Sequence, residues 1–299
     1  MPLYWTKDML IQQFRNGHEA SFPYDIIQRT GGPILNDIPI LIKTTHSDSE
    51  LQERLQWFRQ QPGCTWMLSR SGEEELPELT ITRRGVFLTH ETERLSFHVS
   101  MAIIRLMNIL RGGADRYLAA TQLKSGDSLV DATLGLGTDA LIGAWAVGAK
   151  GKVLAIEQSP ILAAIVQDGL NHFKEIIPKA NNKDKRDTWV ALAQASRTIE
   201  VRWGEHCEYL SSIPSRSVDV VYFDPMFRQT RKQSDSIQPL HRWSDHSPLD
   251  PKAVLEACRI ARHRVVLKER KNSSEFQRLG FEILLGSQYS PVDYGVILV

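Results

Sequence analysis

From about residue 125 onward, apolar positions alternate between two rhythms. Short apolar runs of strand length, at residues 129–132, 153–157, 198–203, 218–223 and 264–268, are separated by longer stretches. Those at 139–147, 160–173 and 251–261 carry apolar residues at helical spacing. Such alternation predicts a doubly wound, mostly parallel sheet that holds ligands at the carboxyl ends of its strands. Two further apolar segments, 281–285 and 295–299, flank Pro291 and read as a terminal hairpin-like pair. The polar tract 179–186 reads as a solvated loop.

Upstream the rhythm differs. An apolar strand at 38–42 precedes Ser47-Asp48-Ser49-Glu50, a capping-box pattern that opens a helix through Leu51, Leu55 and Phe58. Pro62-Gly63 stops it, and residues 65–68 and 79–88 read as more strands. Residues 96–110 are apolar at helical spacing (Met101, Ile104, Leu106, Ile109) and run into Gly112-Gly113. Near the start, Thr6 is placed to cap a short helix over 8–15, with a break at Gly31-Gly32-Pro33. The chain therefore divides into an extension (1–35), a small α+β domain (36–98) and a Rossmann-like α/β domain (99–299).

With 299 residues, 42% of them hydrophobic, there is material for a large core and a second domain. A formal charge of +1 gives no global attraction to nucleic acid or membrane, so a nucleic-acid site would be a local basic patch. Cys64, Cys207 and Cys258 are widely separated and form neither a zinc-binding spacing nor a disulfide framework, so no metal is expected. Together with a start that lacks an apolar signal region, this predicts a cytoplasmic protein. The apolar run 140–149 is too short to cross a bilayer, and no membrane partner is expected.

The chemistry concentrates after two strands. Asp131-Ala132-Thr133-Leu134-Gly135-Leu136-Gly137 follows the first strand of the alternating region and opens a helix at Thr138-Asp139. Glycines there let a ligand approach the backbone, and the helix start offers unpaired N–H groups. Asp131 is read as facing a cofactor amino group; Asp139 reads equally as a first-turn acid favoured by the helix dipole. About twenty positions on, the second strand ends in Glu157-Gln158, where a carboxylate suits the hydroxyls of a ribose. Glu205-His206, after the third strand, would lie beside an adenine. Gly135-x-Gly137-x-x-Ala140 also fits the dinucleotide fingerprint, which keeps a nicotinamide-dependent oxidoreductase open as an alternative.

Asp224-Pro225-Met226-Phe227 follows the buried fourth strand. The exocyclic amine of a base is a poor nucleophile because its lone pair is delocalised. A carboxylate and a backbone carbonyl at a rigid turn can accept its hydrogens and aim the lone pair, while Phe227 stacks on the base. The pattern is similar to the Asp/Asn-Pro-Pro-Tyr/Phe motif of amino-methyltransferases, with Met226 in place of the second proline. Basic residues follow, among them Arg228, Arg231, Lys232, Arg242, Arg264 and Lys268, with Trp243 between them as a stacking or loop-anchoring residue.

Taken together, residues 131–140, 157–170, 222–227 and 264–268 resemble the bacterial small-subunit rRNA guanine-N2 methyltransferases of the RsmJ (YhiQ) type and their relatives. The resemblance covers roughly residues 79–299 and implies a class I methyltransferase fold with S-adenosyl-L-methionine as donor. It places donor contacts on Thr138-Asp139, Glu157-Gln158, Glu205-His206 and Asp224, with rRNA or the small ribosomal subunit as partner. Glu205-His206 replaces small hydroxyl residues of that family, residues 97–102 replace a glycine- and arginine-rich segment, and Arg228 replaces a proline. The expectation is a methyltransferase in which Asp131, Gly135, Gly137, Asp139 and Glu157 hold the donor. Asp224, Pro225 and Phe227 would position an exocyclic amine of an rRNA base, which must be unpaired or flipped out. A small-molecule or protein acceptor, and a non-catalytic RNA-binding module, are the other readings.

Overall fold

The computed structural model describes residues 39–68, 76–173, 183–225, 243–244, 247–284 and 290–299. The helix expected at 8–15, Met226, Phe227 and the basic residues 228, 231, 232 and 242 lie outside the described residues.

The small sheet comes first. Its strands are β1 (Ile40–Thr44), β2 (Trp66–Leu68), β3 (Glu78–Thr82), β4 (Gly85–His90) and β5 (Glu93–Ser96), in the order β2-β1-β3-β4-β5. The run expected at 79–88 is thus a hairpin, β3 and β4 pairing antiparallel. Helix α1 (Ser49–Arg59) starts where the capping pattern places it: the Asp48 side chain accepts from the Leu51 N–H. It buries Leu51, Leu55 and Phe58. Then α2 (Ser100–Leu110) and α3 (Arg116–Thr121) lead into the second sheet.

That sheet contains β6 (Ser128–Asp131), β7 (Lys152–Glu157), β8 (Ile199–Trp203), β9 (Val218–Phe223), β10 (Ala261–Arg270), β11 (Glu282–Leu284) and β12 (Val292–Leu298). The order is β11-β12-β10-β9-β6-β7-β8, with β12 antiparallel to its neighbours β10 and β11. The other pairings, β10 with β9, β9 with β6, β6 with β7 and β7 with β8, are parallel. Between them run α4 (Thr138–Val147), α5 (Pro160–Asn171), α6 (Lys183–Ala195), α7 (His206–Ser212), α8 (Pro251–Ile260) and α9 (Glu275–Arg278). This is the Rossmann-like doubly wound sheet that the alternation predicts.

Strand periodicity sends successive side chains to opposite faces. Leu129, Val153, Ala155, Val220, Tyr222 and Val266 pack with α2, α3, α4, α5 and α6. Val130, Ile156, Val221, Phe223, Val265 and Leu267 pack with α7, α8 and α9. The tract 179–186 needs correction: from Lys183 it is helical. Residues 183–187 form the exposed first turns of α6, whose later positions Thr188, Leu192, Ala193 and Ala195 are buried. A local count of polar residues cannot see that delayed apolar face.

Helix α5 is buried almost all round because both sheets use it. Ala163, Val166 and Leu170 belong to the core of the large sheet, while Ile161, Leu162 and Ile165 join the core of the small one. Gly169 on this helix makes room for Phe97, since an added Cβ would lie 2.2 Å from the Phe97 ring. A buried ion pair locks the joint: Arg54 of α1 donates through Nε (3.1 Å) and Nη2 (2.5 Å) to the Asp168 carboxylate of α5. Their side chains are 7% and 2% exposed. The remaining Arg54 donor, Nη1, reaches the Thr82 carbonyl at 3.0 Å. Trp243, 3% exposed, is seated in the same small-sheet core, edge-on to His90. Among the described residues no helix is long and apolar enough to cross a membrane.

Removing one partner of a buried ion pair leaves the other charge uncompensated. Arg54→Met is therefore expected to destabilise the protein by about 3–5 kcal/mol, read from urea unfolding.

Candidate functional site

The strand order reverses beside β6: the chain proceeds from β6 to β7 and β8 on one side, then crosses to β9 and β10 on the other. In open α/β sheets the crevice outside the carboxyl ends at such a reversal is where ligands bind. Here the carboxyl ends of β6 and β9 bring the glycine turn and the Asp-Pro motif together. The Asp224 N–H donates to Thr133 Oγ1 at 2.5 Å, which ties one loop to the other.

The turn after β6 depends on Gly135 (φ +53°) and Gly137 (φ +75°), both in left-handed conformations that favour glycine. Gly137 is the N-cap of α4, and its carbonyl accepts from the Leu141 N–H. Nothing lies within 4 Å of a Cβ added at Gly135, so that glycine borders open space. Glu157, 7% exposed at the end of β7, stabilises the turn. Its Oε2 accepts from the Gly135 N–H (2.9 Å) and its Oε1 from the Ser159 N–H (2.8 Å). The Ser159 hydroxyl is buried and has no hydrogen-bond partner among the described residues.

One cleft gathers Gly135, Glu157, Gln158, His206, Asp224 and Pro225, and also Ala132, Thr133, Ser244, Ser247 and Leu249. The first six of these are residues expected from the sequence. Gln158 turns its carbonyl to Trp203 Nε1 (3.1 Å). Glu205 caps α7 by accepting from the Glu208 N–H (2.9 Å), and the adjacent His206 ring stands edge-on to Phe223. Thr138 opens α4. Thr133 is a cleft residue not singled out in the sequence; its place inside the glycine turn was the available signal.

Asp131 and Asp139 are not among the residues lining this cleft. Asp131 is 1% exposed and accepts from the Thr133 N–H (3.2 Å). Burial, reinforced by the Asp139 charge, holds its carboxyl well above the usual carboxylate range. Asp139 is the centre of a charge cluster on the α4 side of the sheet. Its Oδ2 accepts from the Tyr222 hydroxyl (2.8 Å) and from Lys268 Nζ (3.1 Å), and its Oδ1 from Arg105. Arg105, on α2, also grips Asp115 through Nε (2.9 Å) and Nη2 (3.0 Å). Burial alone would raise the Asp139 carboxyl; the charges of Lys268 and Arg105 outweigh it and hold the group well below the usual range. Lys268 also reaches Asp224 Oδ2 at 2.6 Å. Burial and the Asp139 charge hold the Asp224 carboxyl up at about 6 against the pull of Lys268.

Arg105 was not singled out from the sequence, and Lys268 only as one basic residue among several. Strand periodicity carries a signal for Lys268: two positions from Val266, it shares the face that holds Tyr222.

A family model described as "Putative SAM-dependent methyltransferase" matches residues 111–280. The chain is 35% identical over 230 residues to "Uncharacterized protein YpiP" of Bacillus subtilis, covering 77% of this chain and 84% of that one. It is 26% identical over 259 residues to "Ribosomal RNA small subunit methyltransferase J" of Alteromonas mediterranea, covering 81% and 90% respectively. The crystal structure of a SAM-dependent methyltransferase from Neisseria gonorrhoeae superposes with a TM-score of 0.56 at 20% identity, over 87% of this chain and 95% of the other.

Glu157→Ala would strip the acceptor from two backbone N–H groups at the turn. The expected loss is about 1–3 kcal/mol of stability, visible as a lower midpoint in thermal unfolding, with Glu157→Gln intermediate because its amide keeps a single acceptor oxygen.

Proposed function

The chain belongs to the family of SAM-dependent methyltransferases and has their class I fold, and from that premise we propose that it methylates an exocyclic amine of a base in small-subunit rRNA, guanine N2 being the amine expected. The donor is S-adenosyl-L-methionine, which supplies a methyl group already activated as part of a sulfonium. The acceptor assignment draws on the relative named for small-subunit rRNA methylation and on the Asp224-Pro225 turn at the cleft.

The residues of the cleft fit a nucleoside-bearing donor. A turn that borders open space at Gly135 and the Glu157 carboxylate beside it form the polar wall of this cleft. In this reading Gly135, Gly137, Thr138, Glu157 and Gln158 hold the donor's nucleoside and His206 borders its base. Glu205 positions His206 by capping α7. Asp131 braces the start of the turn through the Thr133 N–H, and Asp139 anchors the head of α4 that follows it.

The acceptor side follows from charge. Transfer of a methyl from a sulfonium asks the protein chiefly to aim a lone pair. The Asp224 carboxylate and the Pro225 carbonyl would accept the two amine hydrogens and turn the lone pair toward the donor. The motif's Phe227 would stack on the base. The amine's surplus proton leaves after methylation, when the nitrogen carries positive charge, and ionised Asp224 is the nearest base of the motif to receive it.

The observation that carries the proposal is the meeting of Glu157 and Asp224 in one cleft at the sheet reversal. Mass spectrometry of rRNA nucleosides from cells with and without the protein tests it. One methylated base is expected to disappear from small-subunit rRNA without the protein and to return with the wild type; unchanged rRNA would exclude this acceptor. Asp224→Ala is expected to reduce turnover on the order of a hundredfold or more while calorimetric affinity for S-adenosylhomocysteine stays within about threefold. Glu157→Ala is expected to do the reverse, weakening that affinity by about tenfold or more.

A further inference from the structure

Lys268 is neither in the Asp-Pro motif nor in the cleft lining, yet it touches the motif's carboxylate. The parallel register pairs Leu267 of β10 with Phe223 of β9, which sets Lys268 and Asp224 side by side just past the paired ends. On the other side, Lys268 is paired with Tyr294 of β12. Its Nζ lies 2.6 Å from Asp224 Oδ2 and 3.1 Å from Asp139 Oδ2, with the Lys268 side chain 21% exposed. Asp139 is itself braced by Tyr222 and Arg105.

An ammonium this far out of water costs stability unless its partners compensate, and an apolar side chain would fill the same space without that cost. The arrangement has a consequence that packing alone does not. One oxygen of Asp224 is engaged by an ammonium whose own position is fixed from behind, so the carboxylate plane is set beside the cleft that Asp224 lines.

We propose that Lys268 is a positioning residue for methyl transfer: braced on Asp139, it fixes the orientation of the Asp224 carboxylate and keeps it ionised, ready to accept an N–H from the amine. The proposal rests on the acceptor reading above. Several groups face Asp224 from the surrounding elements. They are Lys268 of β10, Asp139 of α4, Asp131 of β6, Tyr222 of β9 and Tyr294 of β12, with Glu157 of β7 and His206 of α7 lining the same cleft. Of these, Lys268 is the cation in contact with Asp224, while Arg105 acts on Asp139 behind it. With the ammonium present, burial and Asp139 already hold the Asp224 carboxyl at about 6. Without it the carboxyl rises further. Activity that needs the ionised form is present above that pKa and lost as pH falls through it, so loss of the ammonium moves the acidic limb of the rate profile to higher pH.

The experiment compares wild type, Lys268→Met and Lys268→Arg by the pH dependence of kcat on rRNA. It adds calorimetry with S-adenosylhomocysteine and carbon-13 NMR titration of the Asp224 carboxyl, assigned with Asp224→Asn. Lys268→Met is expected to move the acidic limb and the carboxyl titration up together by about one pH unit or more. Its kcat at neutral pH should fall on the order of tenfold, with KM for RNA and donor affinity within about threefold, and Lys268→Arg should restore most of the loss. Retained donor affinity shows that the variant is folded. An unmoved carboxyl titration overturns the proposal, as does a lowered kcat with an unmoved acidic limb. The NMR titration needs no RNA. Should wild-type protein methylate no RNA while the carboxyl still shifts, the acceptor reading fails and the Lys268–Asp224 coupling stands.

Discussion

A single ammonium between two carboxylates sets the geometry of this protein's cleft. Lys268 draws Asp139, at the head of α4, and Asp224, at the tip of β9, onto one point, and Arg105 draws α2 onto Asp139 from the other side. Each charge in the cluster is largely withdrawn from water and has an opposite charge in contact, the condition under which burial of ions is tolerated. The glycine turn precedes α4 directly and the Asp-Pro turn follows β9 directly, so the same contact places both signature loops. The link between Thr133 and the Asp224 N–H works at the rim of a framework that the charges below have already aligned.

The backbone of this architecture was legible in the chain because period-2 and period-3.6 patterns record burial locally. The β6-turn-α4 and β9-turn segments could be read from a dozen residues each. What escaped was whatever depends on distant chain. Residues 183–187 look like loop until the buried face of α6 that follows is known. Strand β5, Glu93–Ser96, buries only Leu95 and carries charge, leaving little alternation to read. Lys268 and Asp139 stand 129 positions apart, and no local pattern couples them. Asp139 was readable as a first-turn acid, a role the helix dipole favours, but the partners that hold its charge were not.

Glu157 has a structural role that its position in the sequence does not announce. Its carboxylate was expected for a ribose at the end of the second strand of the alternating region. Both of its oxygens also accept backbone N–H groups, one from the glycine turn and one from the start of α5. The acid therefore prepares the left-handed backbone of the turn, and the ordering entropy of that loop is settled when the protein folds rather than when a ligand arrives.

Trp243 joins the small sheet to the cleft, because its neighbour Ser244 lines that cleft. Pro225 ends the segment that leaves β9 at the cleft, and Trp243, where the chain is next described, is embedded in the apolar interior beneath β4. Pro225 is thus held at the carboxyl end of the large sheet and Trp243 within the core of the small one. Because α5 and the Arg54–Asp168 pair fasten those sheets into one body, Pro225 and Trp243 keep a constant separation, and the cleft wall formed by Ser244 is carried by the small sheet as much as by the large one.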